Sequence, residues 1–463
     1  MTEQNLQDVV DRLGEIIKDT IWENHVYIVG GAVRDYVMRR EINDIDIAVD
    51  LPFGGIGFAE WITRKLGVYK KDSNPVVYGN FGTAQFRIDD VEFETVMTRQ
   101  EAYEKGSRKP IVKFGTIEQD VFRRDFTINS LILNVSNGSV LDLTSRGMLD
   151  IDEKRIRTTS DSNIIFKEDP LRMIRGARFA SQLGEDGQFK LEKNTLTGMI
   201  NNAEELVTIS KERIRDELSK IMLSPNPISA IDLLFYTNLM EHIIPEFENI
   251  VGLEQNKYHN YDVYGHTLLT IMKTPAILEV RLAALLHDIG KQNTVAKNSE
   301  GTNSFHGHES ESAIMATEIL TDLKYPKVVI ESVSKIIRLH MVSKQWGSNA
   351  ENVTDKSLRK LQKSAGKDLI NLLLLIHADN SSHAPEYSMP NQVIEIKNRL
   401  RTLIDRKEPV SMPINGNDIM NFFNVETGRK VGELLEIAED IFLDNPAILK
   451  NELLLEVQKK IDK

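Results

Sequence analysis

The sequence predicts an α+β chain: a mixed sheet-and-helix unit over residues 1–157, then an almost wholly helical remainder. Three observations carry this expectation. Strand-like runs at 25–29, 45–49 and 92–96 alternate with helix-like sequence only in the first third. From about Asp169 onward the pattern is helical, punctuated by Pro225, Pro227 and Pro245. Neither part shows a solenoid-type repeat or a low-complexity segment.

The elements follow in order. Leu6, Val9, Val10, Leu13, Ile16 and Ile17 recur at helical spacing, so the chain opens with an amphipathic helix. The run 25–29 reads as a strand entering Gly30-Gly31, with a helix over 33–40. Residues 45–49 and 92–96 read as further strands, and 127–135 as another. A His-rich helical stretch occupies 251–383. A final helical segment follows Pro390, interrupted by the turn-rich 408–417. The expected boundaries are 1–157, 158–245, 246–385 and 386–463.

With 463 residues the chain has room for two to four domains. Hydrophobic residues at 41% and charged residues at 27% exclude wholesale disorder. There is no cysteine, which excludes disulfides and thiolate zinc sites, so any metal must sit on His, Asp or Glu. Residues 1–11 are polar and acidic and do not resemble a secretory signal. No apolar run approaches the ~20 residues that span a bilayer. The cytoplasm is the expected location. A net charge of −12 argues against a nucleic-acid partner for the surface as a whole, although binding needs only a local basic patch.

Three short stretches suit one chemistry. Gly30 and Gly31, between a strand and a helix, let backbone N–H groups approach a triphosphate, and Arg34 adds a matching charge. A tight turn is the plainer alternative. Asp44 and Asp46 alternate at a strand start, so their carboxylates share a face. Like charges that close favour a cation between them, and Mg²⁺ suits oxygen ligands and phosphates. Glu94 is a candidate third carboxylate, with Glu92 on the same strand face. Asp125 can accept from a ribose 2′-hydroxyl and Asn129 can donate or accept, while Arg123 and Arg124 can hold phosphate or ribose. A salt-bridged turn would use the same residues. Asp169 and Arg172 lie three apart, on one face if helical. Asp only accepts and Arg only donates, so the pair matches the amino group and ring nitrogen of cytosine and of adenine. Uracil and guanine present the reverse order. The alternative is an ordinary i,i+3 ion pair.

The ordered set resembles the class II tRNA nucleotidyltransferases: the CCA-adding enzymes and the related bacterial poly(A) polymerases. The resemblance covers residues 30–46, 123–129, the stretch 168–180, and Glu212-Arg213 with Glu217 and Lys220. It implies a polymerase-β-like nucleotidyltransferase head followed by a helical neck. It also implies Asp44 and Asp46 as Mg²⁺ ligands and Asp125 at the ribose. Asp169 and Arg172 would form an amino-acid template for C and A, within a nucleotide-binding set that takes in Arg175 and Arg178 and is braced by the 212–220 helix. tRNA, CTP and ATP are the implied partners. One departure is visible: the usual Asp-x-x-x-Gly element is one residue longer here, Asp142 to Gly147. The stretch 99–120 falls in the family's flexible-loop region, which by resemblance favours full CCA addition over CC addition.

A second constellation follows. Every histidine except His25 lies at or beyond His242. His266 is followed by His287-Asp288-Ile289-Gly290-Lys291, then His306, His308, His340 and Asp379. Imidazole and carboxylate are the natural divalent-metal ligands of a chain without cysteine. The order resembles the HD phosphohydrolase superfamily, and an HD domain fused behind the transferase resembles some bacterial CCA-adding proteins. By that resemblance His266, His287, Asp288 and Asp379 are core ligands of a divalent transition metal. His308 and His340 are candidates for a second ion, and Lys291 for substrate phosphate. Residues 414–434 resemble the family's tRNA-contacting tail, and Lys397, Arg399, Arg401, Arg406 and Lys407 form a basic cluster.

The expected function is Mg²⁺-dependent, template-independent CCA addition to tRNA, with a phosphohydrolase-like HD domain. Alternatives in the same class are poly(A), A-only or CC-only addition. Alternatives of another class are an HD nucleotide phosphohydrolase whose N-terminal half only binds RNA, and a non-catalytic RNA-binding protein.

Overall fold

Helix α1 (Glu3–Ile17) buries Leu6, Val10, Leu13 and Ile17, the apolar stripe of its sequence, against the core of the first unit. The computed structural model describes residues 3–42, 44–67, 75–78, 82–88, 91–102, 111–183, 189–406 and 411–462. The chain divides into two compact units, Met1–Pro245 and Glu246–Lys463.

In the first unit, strand β1 (Val26–Val29) runs through Gly30 into α2 (Gly31–Val37), followed by β2 (Ile45–Val49) and α3 (Gly54–Lys65). Then come β3 (Val76–Tyr78), β4 (Thr83–Ile88) and β5 (Val91–Met97), and the separate ribbon β6 (Arg99–Ala102) with β7 (Ile111–Phe114). Next are α4 (Ile117–Phe122), β8 (Ile132–Asn134) and β9 (Val140–Leu141). The seven-stranded sheet has the order β3-β4-β5-β2-β1-β8-β9. Only β2 and β5 pair in parallel; the other neighbours are antiparallel. The sheet is therefore mixed, and its core lies under α1 and α3, where Phe58 and Ile62 pack with Trp22 and Phe93.

Two expectations here need correction. Helix α2 ends at Val37 rather than extending to residue 40: Arg39 is left-handed, with φ 54°. The segment 127–135 is not one strand. Thr127–Asn129 form a 3-10 turn, and only Ile132–Asn134 pair. Side chains cause the turn, since Asp125 accepts from the Phe126 N–H and from the Asn129 amide, and Ser130 donates to the Phe126 carbonyl.

The unit continues through α5 (Gly147–Asp152), β10 (Arg155–Ile156), α6 (Ser162–Glu168) and α7 (Leu171–Gln182), and then β11 (Lys190–Leu191), which pairs with β10 in parallel. It ends with α8 (Lys193–Asn201), α9 (Lys211–Met222), α10 (Pro227–Tyr236) and α11 (Met240–Ile243). Helix α7 is packed against α9 and α10 and is buried along most of its length.

The second unit is helical apart from one small ribbon, among the described residues. It comprises α12 (Val263–Met272), α13 (Leu278–Leu286), α14 (Lys291–Thr294), β12 (Ala296–Lys297), β13 (Asn303–Ser304), α15 (His308–Asp322) and α16 (Lys327–Leu339). Then follow α17 (Asp355–Ala365), α18 (Leu369–Ser381), α19 (Gln392–Asp405), α20 (Gly416–Phe423), α21 (Arg429–Asp444) and α22 (Lys450–Ile461). Helix α13 is buried on nearly every side, which fits its unbroken apolar run 282–286. The last three helices share a core of their own built on Ile419, Ala438, Leu453 and Val457. No helix of the described residues is long and apolar enough to cross a membrane.

Candidate functional sites

Gly30 has φ 73° and ψ −139°, a conformation glycine adopts without the penalty of a β-carbon. The turn delivers Arg34 inward from α2. Its guanidinium donates to Asn129 Oδ1 at 2.7 Å and forms a fork with Asp35 at 3.0 and 2.9 Å. The glycine segment and the 123–129 segment, far apart in sequence, therefore meet. Arg124 arrives from the other side: a β-carbon on Gly30 would sit 3.5 Å from both Arg124 Nη1 and Asp46 Oδ2.

Asp46 lies on β2 between the buried Ile45 and Ile47. Its partner across β2/β5 is Glu94, whereas Glu92 faces Arg87 on β4. Burial, then Glu94 and Asp44, raise the Asp46 carboxyl to about 6 against the pull of Arg124. Both Asp46 and Glu94 remain exposed at the rim, so mutual repulsion is the part of this shift that a cation would relieve. Asp44, also exposed, precedes the strand. The donor set fits a hard divalent cation. It is more open than the sites of the second unit, which are the groups of three among the described residues with ligand atoms within 4.8 Å of one another.

Arg123 and Arg124 share an anchor three and four residues earlier, at helical ion-pair spacing. Asp120 is fully buried in α4; its Oδ1 accepts from Arg123 at 2.6 Å and its Oδ2 from Arg124 at 2.8 Å. Burial would raise this carboxyl, but the two guanidiniums outweigh it and hold it below the usual range. Asp125 is buried and bonded to Arg175 of α7 at 2.6 and 2.8 Å. Arg175 and Asn129 keep it ionised despite its burial. Arg178 donates to the buried Glu217 of α9 at 2.6 Å and to Gln182 at 2.6 Å.

The template candidates are not on one helix. Asp169 ends α6 in an extended conformation, and α7 starts after Pro170. The helical i,i+3 argument therefore fails, and the simple ion pair it allowed is absent. Arg172 instead donates to Glu168 and to the Ile165 carbonyl, both at 3.1 Å. Asp169 accepts from the Leu171 N–H at 3.2 Å and from Arg213 of α9 at 2.8 Å. Each side chain is held separately at the α6–α7 break.

The longer Asp142–Gly147 element retains a connected geometry. Asp142 accepts from Thr144 Oγ1 at 2.7 Å and from the Met148 N–H at 3.1 Å, and the turn passes through a left-handed Ser145. A β-carbon on Gly147 would lie 2.7 Å from the Thr127 carbonyl, so α5 can approach the 3-10 turn only with glycine there. The stretch 107–110 lies outside the described residues.

In the second unit His266 sits inside α12. His287 caps α13, His308 opens α15, His340 follows α16 and Asp379 lies on α18. All six candidate ligands, with Asp288, are buried. They form two groups, His266–His287–Asp379 and Asp288–His308–His340. Adjacent His287 and Asp288 fall in different groups of three, but Asp288 Oδ2 also lies 3.6 Å from His266 Nε2, so the expected set His266, His287, Asp288 and Asp379 stays together as well. Asp288 joins them: Oδ2 is 3.2 Å from His287 Nε2, and Oδ1 is 3.3 Å from His308 Nε2. His287, His308 and His340 turn Nδ1 to the carbonyls of Ala284, Phe305 and Ile337 at 2.6–2.8 Å, which leaves Nε2 for the site.

Burial pushes His340 down to about 3 and lowers His266. Asp288 and Asp379 lie well below the usual carboxylate range: burial opposes this, but His287 and Lys291 at the first and Lys344 and His383 at the second outweigh it. Burial would lower His287 too, but Asp288 beside it raises it. Imidazoles beside ionised carboxylates suit a divalent cation. Lys291 and Lys344 bond to Asp288 and Asp379 at 2.7 and 2.8 Å. A cavity of about 610 Å³ opens on this cluster, also lined by Tyr258, His259, Phe305, Tyr387 and Met389. His259, His383 and Lys344 carried no distinguishing spacing in the sequence.

At the tail, Asn415 caps α20 in a reciprocal box with Asp418. Of the basic cluster, Arg399 and Arg406 are bound to Asp355, Lys397 and Arg401 are exposed, and Lys407 lies outside the described residues.

Residues 26–157 match the Poly A polymerase head domain, 188–251 the probable RNA and SrmB-binding site of polymerase A, and 263–382 the HD domain. The chain is 29% identical to an A-adding tRNA nucleotidyltransferase of Deinococcus radiodurans, over 88% of this chain and 89% of that protein. It is 28% identical to a CC-adding tRNA nucleotidyltransferase of Thermus thermophilus, over 88% and 87% respectively. The fold is similar to that of the Bacillus stearothermophilus CCA-adding enzyme in complex with CTP, with a TM-score of 0.70, 21% identity, and 99% and 98% of the two chains covered. Fold, domain order and relatives together define a nucleotidyltransferase that uses divalent metal. The three matched domains, in this order, support a class II tRNA nucleotidyltransferase with a fused HD domain.

Proposed function

We propose that this protein adds CCA to the 3′ end of tRNA from CTP and ATP, in the cytoplasm. One observation carries this reading: four motifs distant in sequence converge through Arg34–Asn129, Arg175–Asp125 and Arg213–Asp169 contacts of 2.6–2.8 Å. The head is residues 1–157, the neck 158–245, the HD domain 246–385 and the tRNA-contacting tail 386–463. Asp44, Asp46 and Glu94 would hold Mg²⁺, which would supply Lewis-acid activation of the terminal 3′-hydroxyl and charge stabilisation of the departing pyrophosphate. Gly30, Gly31, Arg34 and Arg124 cradle the triphosphate. Asp125 and Asn129 meet the ribose; Arg175 holds α7 against them, and Arg178 ties α7 to α9. Asp169 accepts from the amino group of C or A, and Arg172 donates to the ring nitrogen, once each leaves its present partner. Relatives named A-adding and CC-adding make the stopping point the property to test. Labelled CTP and ATP, separately and together, should extend tRNA lacking all three terminal nucleotides and tRNA lacking only the last. Failure to add the final A in the presence of CTP and ATP would favour a CC-adding enzyme. Action only on the tRNA lacking the last nucleotide would favour an A-adding one.

The HD cavity supports a second activity, metal-dependent phosphate-ester hydrolysis. His266, His287 and Asp379 would hold one divalent transition metal and Asp288, His308 and His340 another, with Lys291 facing substrate phosphate. Hydrolysis of 2′,3′-cyclic nucleotides and phosphate monoesters with added transition metals tests it.

A further inference from the structure

We propose that Phe179 is a positioning residue of the nucleotide site, setting how the glycine segment and the ribose segment face each other. The inference rests on the nucleotidyl-transfer reading above. Phe179 lies on α7, immediately after Arg178 and one turn after Arg175, and is 4% exposed. Three guanidinium carbons sit over its ring: Arg178 at 4.2 Å from the centroid, Arg34 at 5.3 Å and Arg175 at 5.5 Å. Their shortest linkages differ, although Arg175 also lies 4.0 Å from Glu217. Arg34 reaches Asn129 and Asp35, Arg175 reaches Asp125, and Arg178 reaches Glu217. The ring is thus the common neighbour of the glycine segment, the ribose segment and the brace helix α9.

Three like charges around one point repel. The negative face of an aromatic ring attracts them, and an aliphatic side chain of similar size does not. The plane of the ring is fixed in turn: Phe126, the residue after Asp125, meets it edge-on with centroids 5.8 Å apart and planes at 85°. Asp125 and Arg175 are therefore joined twice, once by their ion pair and once through the two rings. None of these contacts involves Asp169 or Arg172, so Phe179 governs how well a nucleotide is held and leaves the choice of base alone.

The test uses the full chain and measures equilibrium binding of CTP and of ATP without tRNA, steady-state KM and kcat, and the thermal midpoint. Phe179→Leu keeps apolar bulk and removes the ring. It is expected to weaken both nucleotides roughly five- to twentyfold with their ratio unchanged, mostly in KM. Phe179→Tyr should stay within about twofold of the parent. Should Phe179→Leu fail to fold, Phe126→Leu, which leaves every arginine in place but frees the ring plane, should give a smaller loss in the same direction. Unchanged binding by whichever variant is read, equal weakening by Tyr and Leu, or loss confined to one nucleotide would overturn the proposal. Absence of CTP and ATP binding by the parent protein would instead overturn the transferase reading beneath it.

Discussion

Glu94 stands beside Asp46 in the parallel register of β2 and β5, so two carboxylates share one edge of the transferase site. The proton that Asp46 keeps up to about pH 6 competes with a cation. Metal affinity at the head should fall roughly tenfold for each pH unit below about 6. The folded carboxyl titrates above its ordinary 3.8, so the protonated form stabilises the metal-free fold at low pH, and that contribution is lost as pH rises from about 4 to about 6. Glu94→Gln removes the repelling charge and should move both transitions to lower pH. Mn²⁺ binding followed across this range, in parent and variant, checks the shift; coincident curves would show that Glu94 does not act on Asp46.

Asp44→Ala and Asp46→Ala should each lower CMP and AMP addition by roughly two to three orders of magnitude or more while leaving the fold intact. Both side chains are exposed, so neither substitution opens a cavity. Single-turnover addition in saturating Mg²⁺, with circular dichroism as the folding control, is the measurement. Near-parent rates would remove these residues from the metal site.

Asp120→Asn tests the anchor beneath the two arginines. The amide keeps the shape but cannot neutralise Arg123 and Arg124, which are largely buried against it. Breaking such a pair costs about 3 kcal/mol or more, and the freed Arg124 should raise nucleotide KM roughly tenfold or more. Denaturant unfolding and KM for CTP, measured together, separate the two effects. A fully stable variant with unchanged KM would show that Asp120 is dispensable.

The sequence reading reached furthest where local pattern decides structure. The stripe Leu6–Val10–Leu13–Ile17, the strand before Gly30 and the strand that carries Asp46 all follow from period and turn chemistry over a few residues. It failed where distant partners decide. Arg123 and Arg124 stand at helical ion-pair spacing from Asp120, but that spacing does not say that the carboxylate will be fully buried. Spacing suggested that Asp169 and Arg172 share a helix, but Pro170 breaks it, and their partners Arg213 and Glu168 set the geometry instead. In the second unit the ligand types were legible, whereas the division into two groups around Asp288 depends on how five helices pack.

His287→Ala combined with Asp288→Ala removes one residue from each ligand group. The double variant should lose bound transition metal and any hydrolysis of 2′,3′-cyclic nucleotides, yet keep CMP and AMP addition. Elemental analysis of parent and variant, both purified without chelator, gives the direct comparison. Equal metal content would make these residues structural. Loss of addition in a folded variant would show that the two activities are coupled.

Base choice by Asp169 and Arg172 is tested most directly by sequencing the 3′ ends of tRNA extended with all four nucleoside triphosphates present. The parent protein should add C, C and A and stop. Asp169→Ala and Arg172→Ala should each admit U or G, because each of these side chains matches one edge atom of C and of A, and discrimination should fall by roughly ten- to hundredfold or more per lost contact. Rejection of U and G by both variants as complete as that of the parent protein would contradict the assignment and leave Asp169 and Arg172 as structural partners of Arg213 and Glu168 alone.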